Sequence, residues 1–129
     1  MAHFLPKQIP IRYDLCTDTV TVYHREMDAD GKVTGYRTTV HGKAFFDNQK
    51  NLSVSKTGTK DGNAFLLVIP GDRQTVFPGD KVIRGVGPQV TTREQWADMI
   101  PEKVADLAVI KTVNVKYFAG KICHTEAGG

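Results

Sequence analysis

Residues 63–85 read NAFLLVIPGDRQTVFPGDKVIRG, in which two apolar runs stand on either side of a polar connector. The first run, residues 64–69, is rich in branched and aromatic side chains and ends at a Pro-Gly-Asp turn. The second run, residues 81–83, follows a turn in which Pro78 sets φ and Gly79 is expected to adopt a positive φ. The stretch predicts two short strands that pair as a hairpin, which is typical of small β-barrels, and it contains no catalytic motif.

The sequence before this stretch predicts another hairpin. Apolar and polar residues alternate from Asp18 onward, as expected of a strand. An Asp-rich turn that contains a glycine, residues 27–32, separates this strand from the β-forming residues 33–40. Residues 42–46 extend the second strand and end in two phenylalanines that are expected to anchor the core.

The sequence after the central stretch predicts one short helix. Thr91 and Thr92 each begin a capping box, with Glu or Gln three residues later, and helix-forming residues follow. Pro101 prevents the helix from continuing, because proline cannot donate a backbone hydrogen bond and clashes with the preceding turn. The helix is therefore expected over residues 93–100.

The C-terminal residues predict a final hairpin. The later part of residues 105–117 alternates, and one face is expected to carry Val109, Lys111, Val113, Val115 and Tyr117. A turn at residues 119–120 leads into a last strand over residues 121–125. Together these patterns predict an all-β fold, a small antiparallel β-barrel or sandwich with one short helix and a long polar loop.

Length and composition predict one domain with an appended arm. The 129 residues suit a single core, and 40% hydrophobic and 24% charged residues are ordinary for a globular protein. Since no apolar run approaches a membrane span and the N-terminus lacks a signal-peptide pattern, we expect a cytoplasmic protein without membrane contact. The net charge of +3 is too small to identify a DNA-binding protein. We assign residues 1–17 to the arm and residues 18–129 to a β-barrel domain.

The arm is expected to dock on another subunit. Residues 1–15 contain two prolines and several apolar side chains without a helical or strand period, so the segment cannot build a core of its own. The residues that we expect to make the docking contacts are Phe4, Leu5, Ile9, Ile11 and Leu15.

A polar segment, residues 47–63, connects the second strand to the central stretch. It is rich in Lys, Asn, Ser, Thr and Gly and predicts a long loop or a loose hairpin. Lysines can approach phosphates, so the residues expected to face a channel or DNA are Lys50, Lys56, Thr57, Gly58 and Lys60. The alternatives are a loop whose charges only keep it solvated, or a strand added to a neighbour through Leu52 and Val54.

The potentially reactive side chains form no catalytic or metal-binding motif. Asp28 opens a pattern similar to a calcium loop, but the later acidic ligands are missing, so a hairpin turn is favoured. Cys16 and Cys123 have no second pair at zinc-site spacing, and packing is favoured over a disulfide. His24 and His41 could be cross-strand neighbours in a metal site, although packing is again favoured. We therefore expect no enzymatic activity, cofactor or metal.

The order of these features resembles that of small phage and prophage minor capsid or head–tail connector proteins. The resemblance covers most of the chain after Asp18 and rests on turns and strands. It is carried by VTVYHREMDADGKVTGYRTTVHGKAFF (residues 20–46), Thr57-Gly58 in the polar segment, AFLLVIPG (residues 64–71), PGDKVIRG (residues 78–85), and a terminal strand with His124 close to Gly128-Gly129.

The resemblance implies a structural virion protein, a stopper or head-closure subunit that joins head to tail and helps to retain DNA. Such a subunit would form a homo-oligomeric ring, expected to be a hexamer, between a portal or adaptor protein and tail proteins. It would assemble in the host cytoplasm, lie in the neck and contact packaged DNA non-specifically. Two alternatives stay open: another connector or tail-completion layer, and an OB-like or SH3-like nucleic-acid-binding module, for which the 9% aromatic content is low.

Overall fold

The computed structural model of the chain describes residues 13–50 and 63–129. These residues form one curled sheet of seven antiparallel strands, a half-barrel, with one short helix. The strands are β1 (Asp18–Met27), β2 (Val33–Lys50), β3 (Asn63–Pro70), β4 (Lys81–Arg84), β5 (Ala108–Val109), β6 (Thr112–Phe118) and β7 (Lys121–Gly128), and the helix is α1 (Arg93–Ala97). The prediction of a small all-β fold with a short helix is confirmed.

The strand order in the sheet is β5-β4-β1-β2-β3-β7-β6. β2, which is 18 residues long, belongs to both halves of the sheet, because it pairs with β1 up to Ala44 and with β3 from Phe45 onward. The β1–β2 hairpin closes through the predicted turn, in which Gly31 has φ 84°. The first predicted hairpin is therefore confirmed, and its second strand continues beyond Phe46 into the other half.

The point where β2 passes from one half to the other is held by two charged side chains. The Phe46 amide donates to Asp18 Oδ2 at 3.0 Å, and Arg84 donates to the Phe46 carbonyl at 2.8 Å. The Arg84 guanidinium also lies 3.4 Å from Asp18 Oδ1 and 5.1 Å from the centre of the Phe46 ring. Both backbone groups of Phe46 are thus paired while its ring, 2% exposed, enters the core.

The core lies inside the curl of the sheet, and a second apolar cluster lies on the outer face of β1 and β4. Residues from both halves form the main core: Val20, Val22, Ala44, Phe46, Phe65, Leu67, Ile69, Val76, Val82, Ala108, Ile110 and Ala127. The second cluster joins Tyr23 and Ile83 to Val90, Met99 and Leu107 from the α1 region. The half of the sheet that contains β1 and β4 is therefore covered on both faces.

The predicted pairing of the two central apolar runs is wrong. β3 pairs with β2 and β7, whereas β4 pairs with β1 and β5. The connector between them crosses the molecule, because its Val76 is fully buried in the core. At its end the Gly79 amide donates to the Ile110 carbonyl, and the predicted positive φ of Gly79 is confirmed at 94°. The turn therefore starts β4 but closes no hairpin.

The helix is shorter than predicted, since α1 spans five residues and ends in the Asp98 cap, before Pro101. The capping box of Thr92 is confirmed: its hydroxyl accepts from the Gln95 amide, and the Gln95 side chain accepts from the Thr92 amide. The Thr91 amide donates to the same Gln95 side chain, so Thr91 forms no capping box with Glu94. Gln95 Oε1 thus accepts from both amides, and of the two predicted boxes the helix begins with that of Thr92.

The C-terminal alternation is interrupted where β5 ends and β6 begins. The Lys111 amide donates to the Gly128 carbonyl, and the side-chain alternation shifts at this point. The expected common face is therefore wrong, because Val113 and Val115 are half-buried while Val109, Lys111 and Tyr117 are exposed. The final hairpin itself is confirmed by the β6–β7 pairing and the turn at residues 119–120, and β7 continues to Gly128.

The predicted polar loop is shorter than residues 47–63, because Asp47 to Lys50 continue β2 and Asn63 begins β3. Asp47 pairs with Leu66, and Lys50 pairs with Asn63, so the hairpin alternative is the correct description of the base. Residues 51–62, with Leu52 and Val54, lie outside the described residues.

Asp18→Ala should destabilise the passage of β2 between the two halves. It removes the acceptor of the buried Phe46 amide and the partner of Arg84, so we expect a loss of about 1–3 kcal/mol in the free energy of unfolding. The measurement is urea unfolding followed by fluorescence. Asp18→Asn is the matched control, since it keeps an oxygen for the amide and should lose less. Equal stability of Asp18→Ala and the unsubstituted chain contradicts this role.

Candidate interaction groove

The structure describes two of the residues that the sequence singled out as contact sites. Lys50 ends β2 at the base of the β2–β3 hairpin. Leu15 precedes β1 and is 74% exposed, which is high for a large apolar side chain. The other candidates lie outside the described residues: Lys56, Thr57, Gly58, Lys60, Phe4, Leu5, Ile9 and Ile11.

Leu15 borders an open groove with a volume of about 470 Å³, which we call the Tyr13 groove. Its lining residues come from the segment before β1 and from strands β2, β3 and β7: Tyr13, Asp14, Leu15, Cys16, Phe45, Val68, His124 and Glu126. The volume is in the range of ligand and peptide side-chain pockets. The groove therefore offers an apolar surface with polar groups at a few positions.

Strand alternation explains why these side chains share the face opposite the core. Phe46 and Leu67 point into the core, so their neighbours Phe45 and Val68 point outward. Phe45 pairs with Val68, and Val68 pairs with Glu126, so the three residues form one row across β2, β3 and β7. Leu66, two positions before Val68 on β3, also points outward and is 44% exposed. This face is more apolar than the solvent face of an antiparallel sheet usually is.

A chain of hydrogen bonds ties the segment before β1 to this face. Tyr13 Oη lies 2.9 Å from His124 Nδ1 and 3.2 Å from the Cys123 carbonyl, to which it donates. On the other side of the ring, His124 Nε2 lies 2.9 Å from Glu126 Oε2. A carboxylate only accepts, so Nε2 carries a hydrogen towards Glu126. Tyr13 therefore takes part in holding His124 and Glu126 in one arrangement, although it lies 111 positions before His124 in the sequence.

Burial reinforces this contact. The His124 side chain is 9% exposed, and the Tyr13 ring meets it edge-on at 5.5 Å between centroids. Desolvation raises the pKa of Tyr13, with a further contribution from the Cys123 side chain, so the Tyr13 hydroxyl keeps its proton at neutral pH and remains a donor. The contact therefore acts as a fixed tether at the end of the arm.

The tethered segment forms a tight turn into β1. The Cys16 amide donates to the Tyr13 carbonyl at 3.0 Å, and the Thr17 amide donates to the Leu15 carbonyl at 2.9 Å. Cys16 is buried, and burial raises the pKa of its thiol. Cys123 is half-buried, with Sγ 3.4 Å from the Lys116 carbonyl, and both cysteines are free. The favoured interpretation of the cysteines as packed side chains agrees with these contacts.

The alternative of a cross-strand histidine pair is wrong, because His24 pairs across strands with Arg37, and His41 pairs with Val20. His24 Nδ1 instead lies 2.6 Å from Asp80 Oδ1. The second Asp80 oxygen accepts from the Phe77 amide at 2.9 Å, so the imidazole–carboxylate pair fixes the turn before β4 to β1. Desolvation raises the pKa of Asp80, against the opposing effect of the His24 hydrogen bond.

The calcium-loop alternative is also explained by local structure. Asp28 Oδ1 accepts from the amides of Asp30 and Lys32, both at 2.9 Å, which stabilises the hairpin turn. Within residues 13–50 and 63–129, no group of three or more His, Cys, Asp or Glu side chains is arranged to hold a metal ion.

A cluster of cations around Trp96 serves the fold. Lys81 Nζ lies 4.4 Å from the centre of the Trp96 ring and donates to the Trp96 and Met99 carbonyls at 2.9 and 2.7 Å. Arg25 lies over the same ring at 5.0 Å. Burial lowers the pKa of the Lys81 ammonium, and its hydrogen bonds satisfy carbonyls at the end of α1. Lys81 is therefore directed at the protein's own backbone rather than at a phosphate ligand.

Sequence reasoning missed the groove, although one signal was present. β3 carries apolar residues on both faces, because Leu66 and Val68 alternate with the core residues Phe65, Leu67 and Ile69. A strand with water on one face normally alternates, so this run indicated a second covered face. The Tyr13–His124 contact left no local signal, since it depends on the order of the strands.

Comparison with known proteins gives one match. A family model described as a family of unknown function (DUF6751) matches residues 15–129, and the chain belongs to that family. No curated protein and no solved structure matches the chain. The matched region contains β1 to β7 and the groove residues from Leu15 onward, while Tyr13 precedes it. In the part of the chain that the structure describes, no helix is long and apolar enough to cross a membrane.

Tyr13→Phe should release the tethered turn. The ring can still pack against His124, but the hydroxyl that joins it to Nδ1 and to the Cys123 carbonyl is lost, at a cost of about 0.5–1.5 kcal/mol. We expect faster hydrogen exchange at the amides of Cys16 and Thr17, measured by NMR. Tyr117→Phe is the matched control, because Tyr117 is 65% exposed. Unchanged exchange at both amides in Tyr13→Phe contradicts the tether.

Proposed function

We propose that the chain is a non-enzymatic structural subunit of a phage or prophage head–tail connector, a stopper or head-closure protein that forms a ring below the portal. The observation that carries the proposal is the Tyr13 groove, an apolar outward face next to an arm that cannot form its own core. An apolar face of this kind on a small domain is a usual place for protein contacts. Such contacts would be made with copies of the same chain and with the portal or adaptor and tail proteins.

The shape of the sheet supports a ring. Its edge strands, β5 and β6, differ in sequence and length, so a contact between an edge strand of one copy and a different surface of the next is heterologous and can close into a ring. An edge strand has backbone groups on one side that can pair with another chain. Both ends carry exposed apolar side chains, Val109 at 37% on β5 and Tyr117 at 65% on β6.

The polar segment supports a contact with packaged DNA. The pairing of Lys50 with Asn63 fixes the points at which residues 51–62 leave the sheet. That segment contains Lys56 and Lys60 and one acidic residue, Asp61, so its charge suits a phosphate backbone without base-specific contacts. A ring of such segments around a channel would help to retain DNA in the filled head.

The described polar clusters support a role without catalysis. His124, which is bound by Glu126, contacts the Tyr13 hydroxyl, and His24 and Asp80 hold the turn before β4. The cations near Trp96 are likewise engaged within the fold, which weakens the alternative of a nucleic-acid-binding barrel that reads bases by stacking. Assembly through surfaces is the function that these contacts favour.

Labelling on virus particles tests the proposal directly. In particles from the phage or prophage whose genome encodes this chain, a gold-labelled antibody against it should mark one position between head and tail in electron micrographs. Particles made without the chain serve as the control for labelling, and their heads should lose DNA or fail to join tails. Label spread over the capsid shell or along the tail, or normal particles without the chain, would show that the assignment is wrong.

Shortening the polar segment tests its role in DNA retention. Deletion of residues 57–62 should give heads that assemble but leak DNA or fail to join tails, as measured by the DNA content of purified heads and by infectivity. The double variant Lys56→Gln and Lys60→Gln keeps the length of the segment and removes its two lysine charges, so it separates the effect of charge from the effect of length. Normal, infectious particles from the deletion would leave the segment as a solvated connection.

A further inference from the structure

We propose that the Tyr13 groove binds the N-terminal residues 1–12 of a second copy of the chain, so that neighbouring subunits are joined by their arms. The inference rests on the proposed assembly function and specifies its partner and its contact surface. The groove is open, Leu15 in its lining is 74% exposed, and Leu66 on the same face of β3 is 44% exposed. Burial of this surface by apolar side chains would be favourable by the hydrophobic effect.

The apolar residues of the arm match the apolar part of the groove. Residues 1–12 carry Phe4, Leu5, Ile9 and Ile11, while the groove presents Leu15, Phe45, Val68 and Cys16. Pro6 and Pro10 favour an extended backbone and lack amide donors, which suits a segment that lies on a side-chain surface rather than in a hydrogen-bonded ladder. A volume of about 470 Å³ can take a few large side chains, as an anchoring contact requires.

The charges of the two surfaces are opposite. Residues 1–12 contain Lys7 and Arg12 and no Asp or Glu. The groove lining contains the carboxylate of Glu126 and no Lys or Arg. The Glu126 side chain is 34% exposed, and a carboxylate that accepts one bond from His124 has further lone pairs for a second donor. Opposite charges at the border of an apolar contact favour correct pairing and fast association.

The position of Tyr13 favours a second copy over the chain's own arm. Its hydroxyl is tethered at the edge of the groove, and residues 13–17 turn directly into β1, so the root of the arm already occupies one side of the groove. Twelve extended residues span up to about 40 Å. A domain of this length has a radius of gyration of roughly 14 Å, so the arm can reach an adjacent subunit.

Complementation between two variants separates exchange from self-docking. The first variant lacks residues 1–12 and keeps an intact groove; the second, Leu15→Lys, keeps the arm and places a charge in the groove. Each alone should associate at least about tenfold more weakly than the unsubstituted chain in sedimentation velocity, since an anchoring contact is lost. An equimolar mixture should form heterodimers by native mass spectrometry, with the arm of the Leu15→Lys chain in the groove of the shortened chain.

Two further variants keep the result interpretable. Val86→Lys is the matched control, because Val86 is also 74% exposed and does not line the groove, and it should associate normally. Val68→Lys repeats the groove substitution on β3 and should behave as Leu15→Lys does. Normal association of both groove variants overturns the proposal, as does a mixture without heterodimers. Hydrogen exchange at the groove amides can also be compared with and without residues 1–12. If the arm changes this exchange equally at every protein concentration, the arm docks on its own subunit, and the proposal is overturned.

This test is independent of the connector assignment. Arm exchange in solution together with gold label away from the neck would refute the connector function and leave the exchange intact. Label at the neck together with normal association of the groove variants would refute the exchange alone.

Discussion

The fold depends on one strand that serves two halves of a curled sheet. β2 leaves β1 at Ala44 and joins β3 at Phe45, and Asp18 and Arg84 bind the amide and the carbonyl of Phe46 at this passage. A shift of one residue here would exchange the two faces of the strand, because side chains alternate. The register of β2 at this point therefore directs Phe46 into the core and Phe45 into the groove. The stability of the domain and the shape of its outward surface both depend on this register.

The two halves differ in what covers their outer faces. On β1 and β4, the α1 region covers Tyr23 and Ile83, and Tyr23 Oη donates to the Pro88 carbonyl. On the other half, the short segment before β1 lies beside Phe45 and Val68 and leaves Leu66 partly exposed. Among residues 13–50 and 63–129, one half is thus covered by the α1 region, and the other is covered only by the short segment before β1. This asymmetry explains why a contact surface is expected on one side of the molecule.

The sequence predicted the features that depend on neighbouring residues. The positive φ of Gly79, the Thr92 capping box and the β1–β2 hairpin each follow from a few adjacent residues and are confirmed. The pairing of β3 with β4 failed because a turn sequence specifies a change of direction and does not specify which strand lies beside the next one. The groove could be anticipated only in part, from the two apolar faces of β3, since strand order brings Tyr13 to His124.

The hydrogen-bonded contact of Tyr13 is well suited to hold the start of an arm that binds to a neighbouring subunit. An apolar contact at Tyr13 would hold the chain to the sheet without fixing its direction. The Tyr13 hydroxyl instead donates to the Cys123 carbonyl and lies 2.9 Å from His124 Nδ1, which fixes both its position and its orientation. Glu126 orients the imidazole through Nε2, and Val68, which pairs with Glu126, is one of the apolar residues that line the groove. Because residues 13–17 are already oriented before association, less conformational entropy is lost on binding. More of the free energy gained by burying the arm then contributes to the affinity between subunits.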